Sequence, residues 1–258
     1  MFDKEATRVF LDKVPDLRSP WKAVLTALYA ALLVLLCVLF FRTAGVLGRY
    51  APLLSQLVMA LLTASISYVH FRWVGWYRDR YGPLAYRYHF YHLMLPYLVA
   101  WYACFFHPLF ISGPDLLPSW LSVLLGTAFV ALTVLTSLQI ERAGFHMETH
   151  GLDIYSIFPE EATVVRGQIY AYIRHPLYLA LSCGTFGMAL FANNWIALVA
   201  AVLHLIPALV AGRLEDGELI EREGETHQEY IQKTGALLPR SDWTGFFRLL
   251  LFLRPAGS

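Results

Sequence analysis

Residues 170–178 read YAYIRHPLY, which gathers Tyr170, Tyr172, Arg174, His175 and Tyr178 around Pro176. Arg174 is a permanent cation, and the tyrosines offer aromatic faces with hydroxyl tips. Proline suits the first position of a helix and disfavours α geometry in the residue before it. His175 is therefore expected at or beside a helix N-cap. There, unpaired backbone N–H groups and the positive end of the helix dipole favour an anion such as a carboxylate. The same residues also make ordinary punctuation, because Arg and Tyr anchor spans at interfaces and Pro begins them. Taken alone, the stretch leaves both readings open.

A second polar segment, GRLEDGELIEREGETHQEYIQKTGALLP (212–239), carries seven acidic residues from Glu215 to Glu229, with Arg213, Arg222 and Lys233 among them. Its apolar stripe is weak, so most of it reads as a solvated helix. Between the two lies a long hydrophilic loop, 141–175. Its HMETH places His146 and His150 four residues apart, but Glu148 stands one place too late for a zinc-protease helix. No metal site is expected. Cys37, Cys104 and Cys183 lack paired spacing and read as small apolar filler.

The elements that must position these groups are membrane helices. The chain is 57% hydrophobic and 15% charged, against roughly 25% charged in a soluble domain. Uncharged runs such as LTALYAALLVLLCVLFF (25–41) approach the ~20 apolar residues needed to cross a bilayer. Six spans are expected, near 22–41, 51–71, 89–112, 117–140, 176–192 and 194–212. Helices are the spanning structure that satisfies the backbone, since no β-barrel alternation is present. The expected fold is thus an all-α, polytopic bundle with a cytoplasmic loop and a C-terminal helix closing a site. Residues 1–140 form a four-span scaffold and 141–258 a core, within one integrated membrane domain.

Charge orients the bundle. Alternate hydrophilic segments hold 18 of the 20 Lys and Arg residues, and the intervening loops hold only Arg42 and Arg49. The positive-inside rule then places both termini and the 141–175 loop in the cytoplasm. The ANNW turn (192–195) is tight enough to force the last two spans into an antiparallel hairpin. That hairpin should bring 174–178 and 213–218 face to face at the cytoplasmic surface. A basic cluster opposed to an acidic one suits a zwitterion.

Residues 165–240 resemble the isoprenylcysteine carboxyl methyltransferase and phospholipid N-methyltransferase group of integral membrane methyltransferases. The resemblance rests on Tyr170, Tyr172, Arg174-His175-Pro176 and Tyr178, then on Arg213, Glu218-Leu219, Glu229-Tyr230 and Pro239. This chain departs from the group's pattern at Gln168, at Gly217 and Leu219 around Glu218, and at Thr226-His227. The resemblance implies S-adenosylmethionine as cofactor, held by Tyr170, Tyr172, His175, Pro176 and Tyr178, with Arg174 supporting the local fold or the cofactor carboxylate. It further implies Arg213 and Glu218 as the catalytic pair, one orienting an acceptor and the other completing the site. The chain has no Gly-x-Gly-x-x-Gly, which disfavours a Rossmann-type site.

The function expected is therefore methyl transfer to a lipophilic or membrane-delivered acceptor: an isoprenylcysteine-type carboxylate, a phospholipid amine, or a small thiol or acid. The bilayer is the expected partner, and no nucleic acid is. A multi-pass location in a cell inner membrane or the endoplasmic reticulum follows. The alternatives are an NADPH-dependent enzyme of the sterol reductase type and a non-catalytic membrane scaffold.

Overall fold

The computed structural model describes residues 3–162 and 164–253. Arg254, one of the six cations in the C-terminal tail, lies outside the described residues. The fold is all-α and polytopic, as the sequence predicts, and helix occupies most of each of the six expected segments. Among the described residues, four helical runs are long and apolar enough to cross a membrane: Pro20–Gly45, Ala51–Phe110, Ser119–Arg142 and Trp195–Glu223. Pro176–Ala192 is apolar but shorter.

After a short amphipathic helix α1 (Lys4–Lys13), α2 (Pro20–Gly45) starts at a proline. The next helix, α3 (Ala51–Tyr81), stops at Gly82, whose φ of +52° is a conformation few side chains adopt. The chain then returns through α4 (Ala85–His89), one wide π turn and α5 (Leu95–Phe106). Two contacts fix this return as antiparallel. Gln56 Nε2 donates to the Cys104 carbonyl at 3.0 Å, and His70 Nδ1 meets His89 Nε2 at 2.6 Å.

Two further helices, α6 (Ser119–Arg142) and α8 (Pro176–Ala192), pack antiparallel through small residues. Gly126 and Gly187 let the backbones approach so closely that a Cβ on Gly187 would lie 2.9 Å from Val130 and 3.1 Å from the Gly126 carbonyl. Such small-residue crossings are how helices pack where lipid removes the hydrophobic drive. Hydroxyls add cross-links, with Thr133 donating to the Ala180 carbonyl at 2.9 Å and Ser122 to that of Leu190.

The turn after α8 is as tight as its sequence requires. Asn193 takes a left-handed conformation (φ +52°), which Asn tolerates better than most residues. Asn194 caps α9 (Trp195–Leu203) by accepting from the Ala197 N–H at 2.9 Å, and its amide also donates to the Ile111 carbonyl at 2.8 Å. α9 runs back along α8, and the chain continues as α10 (Leu205–Glu223), which packs mainly along α3.

The hydrophilic segments gather at one end of the bundle. Lys13 pairs with Glu161, Arg78 with Glu160, and the Asp3 N–H donates to Glu148. The loop 141–175 is no loose connection. It contains α7 (Ile154–Ile157), and its Ile154, Ile157 and Phe158 are buried against Tyr77, Tyr86 and Phe90.

Replacing Gly187 with Leu forces a side chain against fixed backbone, so we expect a loss of about 1–3 kcal/mol. A thermal melt in detergent should show a lowered midpoint, and an unchanged midpoint would contradict the close crossing.

Candidate active site

The YAYIRHPLY strip leaves a single 3-10 turn (Gln168–Ala171) and passes through a short irregular link before it enters α8. Ile173 bridges Gly235 in a short parallel pairing. The Arg174 N–H donates to the Gly235 carbonyl at 2.9 Å, the His175 N–H to Ala236 at 3.0 Å, and the Gly235 N–H to Tyr172 at 3.1 Å. This explains why residues far apart in the chain act together: the C-terminal segment supplies the hydrogen bonds that a pre-proline strip cannot make within a helix. His175 is the N-cap of α8 and Pro176 its first residue, as the sequence predicts.

The Arg174 guanidinium does not project into solvent. It forks onto Asp216 with three N···O contacts of 3.1 Å and donates to the Thr234 carbonyl at 2.7 Å. His175 is buried, with Nδ1 3.2 Å from Glu215 and Nε2 3.3 Å from Asp216. His227 contacts the same Asp216 oxygen at 3.2 Å. Gly212 makes the approach possible, since a Cβ there would lie 3.1 Å from the His175 ring. The hairpin thus brings the basic and acidic clusters together, as expected from its tightness.

Burial alone would disfavour a charged His175. The Glu215 and Asp216 carboxylates outweigh it and raise the imidazole to about 9. The side chain is consequently a cation at neutral pH.

Beyond α10 the sequence reading needs correction. The segment 212–239 is not one solvated helix. It breaks at Gly224 (φ +61°), and α11 (Glu225–Lys233) folds back. Tyr230 then donates to the Tyr170 carbonyl at 2.6 Å, and Arg166 pairs with Glu223. A glycine between two acidic runs was the available signal.

Two adjoining chambers open beside this cluster, of about 110 Å³ and about 120 Å³. Phe145, Asp153, Tyr170, Arg174, His175 and Glu215 line both. The inner one runs between α3, α5 and α8, past Tyr97, Trp101, Pro176 and Tyr178. Its aromatic wall is ordered by stacking: Tyr178 lies 5.6 Å from His175 on one side and 5.5 Å from Trp101 on the other. The Tyr170 ring stacks on Phe145 at 6.1 Å. The outer chamber takes in Glu218, Arg222, His227 and Tyr230.

Of the residues singled out from sequence, Tyr170, Arg174, His175, Pro176 and Tyr178 therefore meet at the chambers. Tyr172 turns the other way, its ring 5.9 Å from Phe246 of α12 (Trp243–Leu250). Glu218 lines the outer chamber and pairs with Arg222 at 3.3 Å. Arg213 is exposed and lines neither chamber. Glu215 and Asp216, which hold the centre, were visible only as members of an acidic run. Trp101, Phe145 and Asp153 carried no signal at all.

Residues 121–221 match the model of the phospholipid methyltransferase family. That segment is of phospholipid methyltransferase type. It contains α6, α8 and the inner half of the polar cluster, so the resemblance read from the paired motif is borne out. Over 89 residues the chain is also 30% identical to a methanethiol S-methyltransferase of Pseudomonas sp. (strain GM41(2012)). The match covers 33% of this chain and 32% of that protein, so the chain spans about a third of the relative's length. No solved structure matches the chain.

Because the folded His175 is raised above its ordinary value, its charge stabilises the structure fully below pH 6.5 and loses that effect as pH rises through about 9. Melting curves of wild type and His175→Gln should differ at acidic and neutral pH and converge in alkali. A gap independent of pH would mean the imidazole is neutral in the fold.

Proposed function

We propose that the chain is an S-adenosylmethionine-dependent methyltransferase that serves a lipophilic or membrane-delivered acceptor. The observation that carries this reading is the pairing of opposite charges at one aromatic-walled cavity, inside a segment of phospholipid methyltransferase type. His175 and the opening turn of α8 form the cationic pole, and Glu215 forms the anionic one.

The residues fit such a donor by their chemistry. His175 is buried between Glu215 and Asp216, and a ligand carboxylate would meet its charge beside the opening turn of α8. The first N–H groups of a helix behind Pro176 add to that pole. Glu215 supplies a counter-charge, and the faces of Tyr170 and Tyr178 suit a sulfonium. When bound, the donor supplies an electrophilic methyl group on sulfur. The protein contributes alignment, which is worth several kcal/mol when reacting atoms are held at near-attack distance. Arg174 and Tyr172 act indirectly by fixing the strip.

A thiol is the acceptor we place first, on the name of the Pseudomonas relative; isoprenylcysteine-type carboxylates and phospholipid amines are the others. Glu218 in the outer chamber is positioned for an acceptor amine, and Arg213 is left with a role at the surface. The inner chamber's apolar wall between α5 and α8 suits arrival through lipid. The soluble donor would come from the cytosol, where the charge pattern puts both termini.

The test is equilibrium binding of S-adenosylmethionine to detergent-purified protein. Removing one charged partner costs on the order of 1.5–3 kcal/mol, so Glu215→Gln and His175→Ala should each weaken binding by roughly tenfold or more. Folded wild-type protein that ignores the donor would sink the proposal, and NADPH binding in its place would favour the reductase alternative.

A further inference from the structure

Opposite the charged cluster, the chambers carry a second polar group that the donor site does not use. Asp153 begins α7 in a left-handed conformation, with φ of +56°. Asp is among the few residues that adopt this region without a large penalty. The conformation turns the carboxylate toward α3, where Oδ2 lies 2.5 Å from His70 Nε2. His70 is buried in the bundle and itself lines the inner chamber. Its other nitrogen, Nδ1, meets His89 Nε2 at 2.6 Å. His89 is fully buried.

This chain, carboxylate to imidazole to imidazole, is unusual inside a membrane bundle. Ionisable groups there are costly and commonly mark proton or substrate pathways. The buried His89 Nδ1 has no hydrogen-bond partner among the described residues, so the chain is not simply a saturated packing network. Its surroundings hold other polar groups. Ser156 donates to the second Asp153 oxygen, the Tyr77 ring stands edge-on to His89 at 5.2 Å, and Tyr97 and Glu215 share the inner chamber.

We propose that Asp153, held by His70, is the proton acceptor for methyl transfer to a thiol. This rests on the methyltransferase reading above. The reaction needs such a group because an acceptor S–H must lose its proton as it is methylated. One bond forms, between the acceptor sulfur and the methyl carbon. One breaks, between that carbon and the donor sulfur, which keeps the electron pair and becomes neutral. The thiol proton passes to the Asp153 carboxylate, which ends as the neutral acid. His70 Nε2–H donates to that carboxylate and holds it in place, while His70 Nδ1 accepts from His89 Nε2–H, which fixes the tautomer. Asp153 faces both chambers, so it is the member that meets the acceptor, and His70 and His89 are positioning residues.

Acceptor acidity separates this role from a structural one. General-base assistance is worth ~10²-fold or more. Purified Asp153→Asn should lose at least that factor in methylation of 1-hexanethiol, with radiolabelled S-adenosylmethionine as donor, and His70→Gln a smaller part of it. An aromatic thiol such as thiophenol ionises without help, so its methylation should fall only a few-fold. A carboxylate acceptor needs no base and should behave as thiophenol does. Donor binding, measured separately, should stay within a few-fold of wild type. Equal losses with both thiols, at normal donor binding, would overturn the proton-acceptor role while leaving the methyltransferase intact. Wild-type protein that binds no donor and methylates neither thiol would instead overturn the reading on which the proposal stands. Should Asp153→Asn melt early, Asp153→Glu provides the second variant: it keeps the carboxylate, and recovery of the hexanethiol rate supports the assignment. A folded Asp153→Glu that again loses both thiols equally counts against it.

Discussion

The fork between Arg174 and Asp216 is the contact on which the site depends. It lies where three parts of the chain converge: the irregular link before α8, the outward half of α10, and the returning α11. Arg174 is 9% exposed and Asp216 15%, so breaking either side leaves a largely desolvated charge, a far costlier event than losing a surface pair. Arg174 also satisfies carbonyls at the end of α11. One guanidinium therefore fixes the strip, the acidic helix and the closing helix in a single register. Asp216, so held, is left to face His175 and His227.

The membrane helices set the frame for that contact. Gly126 and Gly187 bring α6 and α8 close, and the two asparagines at 193 and 194 return the chain so that Gly212 passes over the His175 ring. A side chain at 212 would push α10 outward and separate the charges. The bundle also divides its labour. The charged pole is built from the start of α8 and from α10, while the opposite wall is built from α3, α5 and residues 145–153. In the function proposed, donor and acceptor are thus handled by different halves of one molecule.

Much of this could be read from residues. Pro176 placed the start of α8, the ANNW turn implied the hairpin, and the hairpin implied that basic and acidic clusters meet. Those inferences rest on local rules: proline geometry, turn length and charge. What escaped depends on direction around a helix axis. Arg213, Glu215, Asp216 and Glu218 lie within two turns of one helix, and the sequence cannot say which face Gly212 presents to His175. The structure puts Glu215 and Asp216 there and leaves Arg213 outward. The fold-back at Gly224 was missed because its acidic flanks read as one solvated helix. Asp153 and His70 were invisible as a pair, since a contact across 83 residues leaves no spacing pattern.

The central claim is that Arg174 and Asp216 act as one unit in building the proposed donor site. A double-mutant cycle on S-adenosylmethionine affinity measures it directly, with Arg174→Met, Asp216→Leu and the two combined. Residues in one ion-pair network couple by about 0.5–3 kcal/mol. The account predicts that each single change weakens binding and that the double variant binds no worse than the weaker single one. Losses that simply add, or affinity untouched by either change, would contradict it.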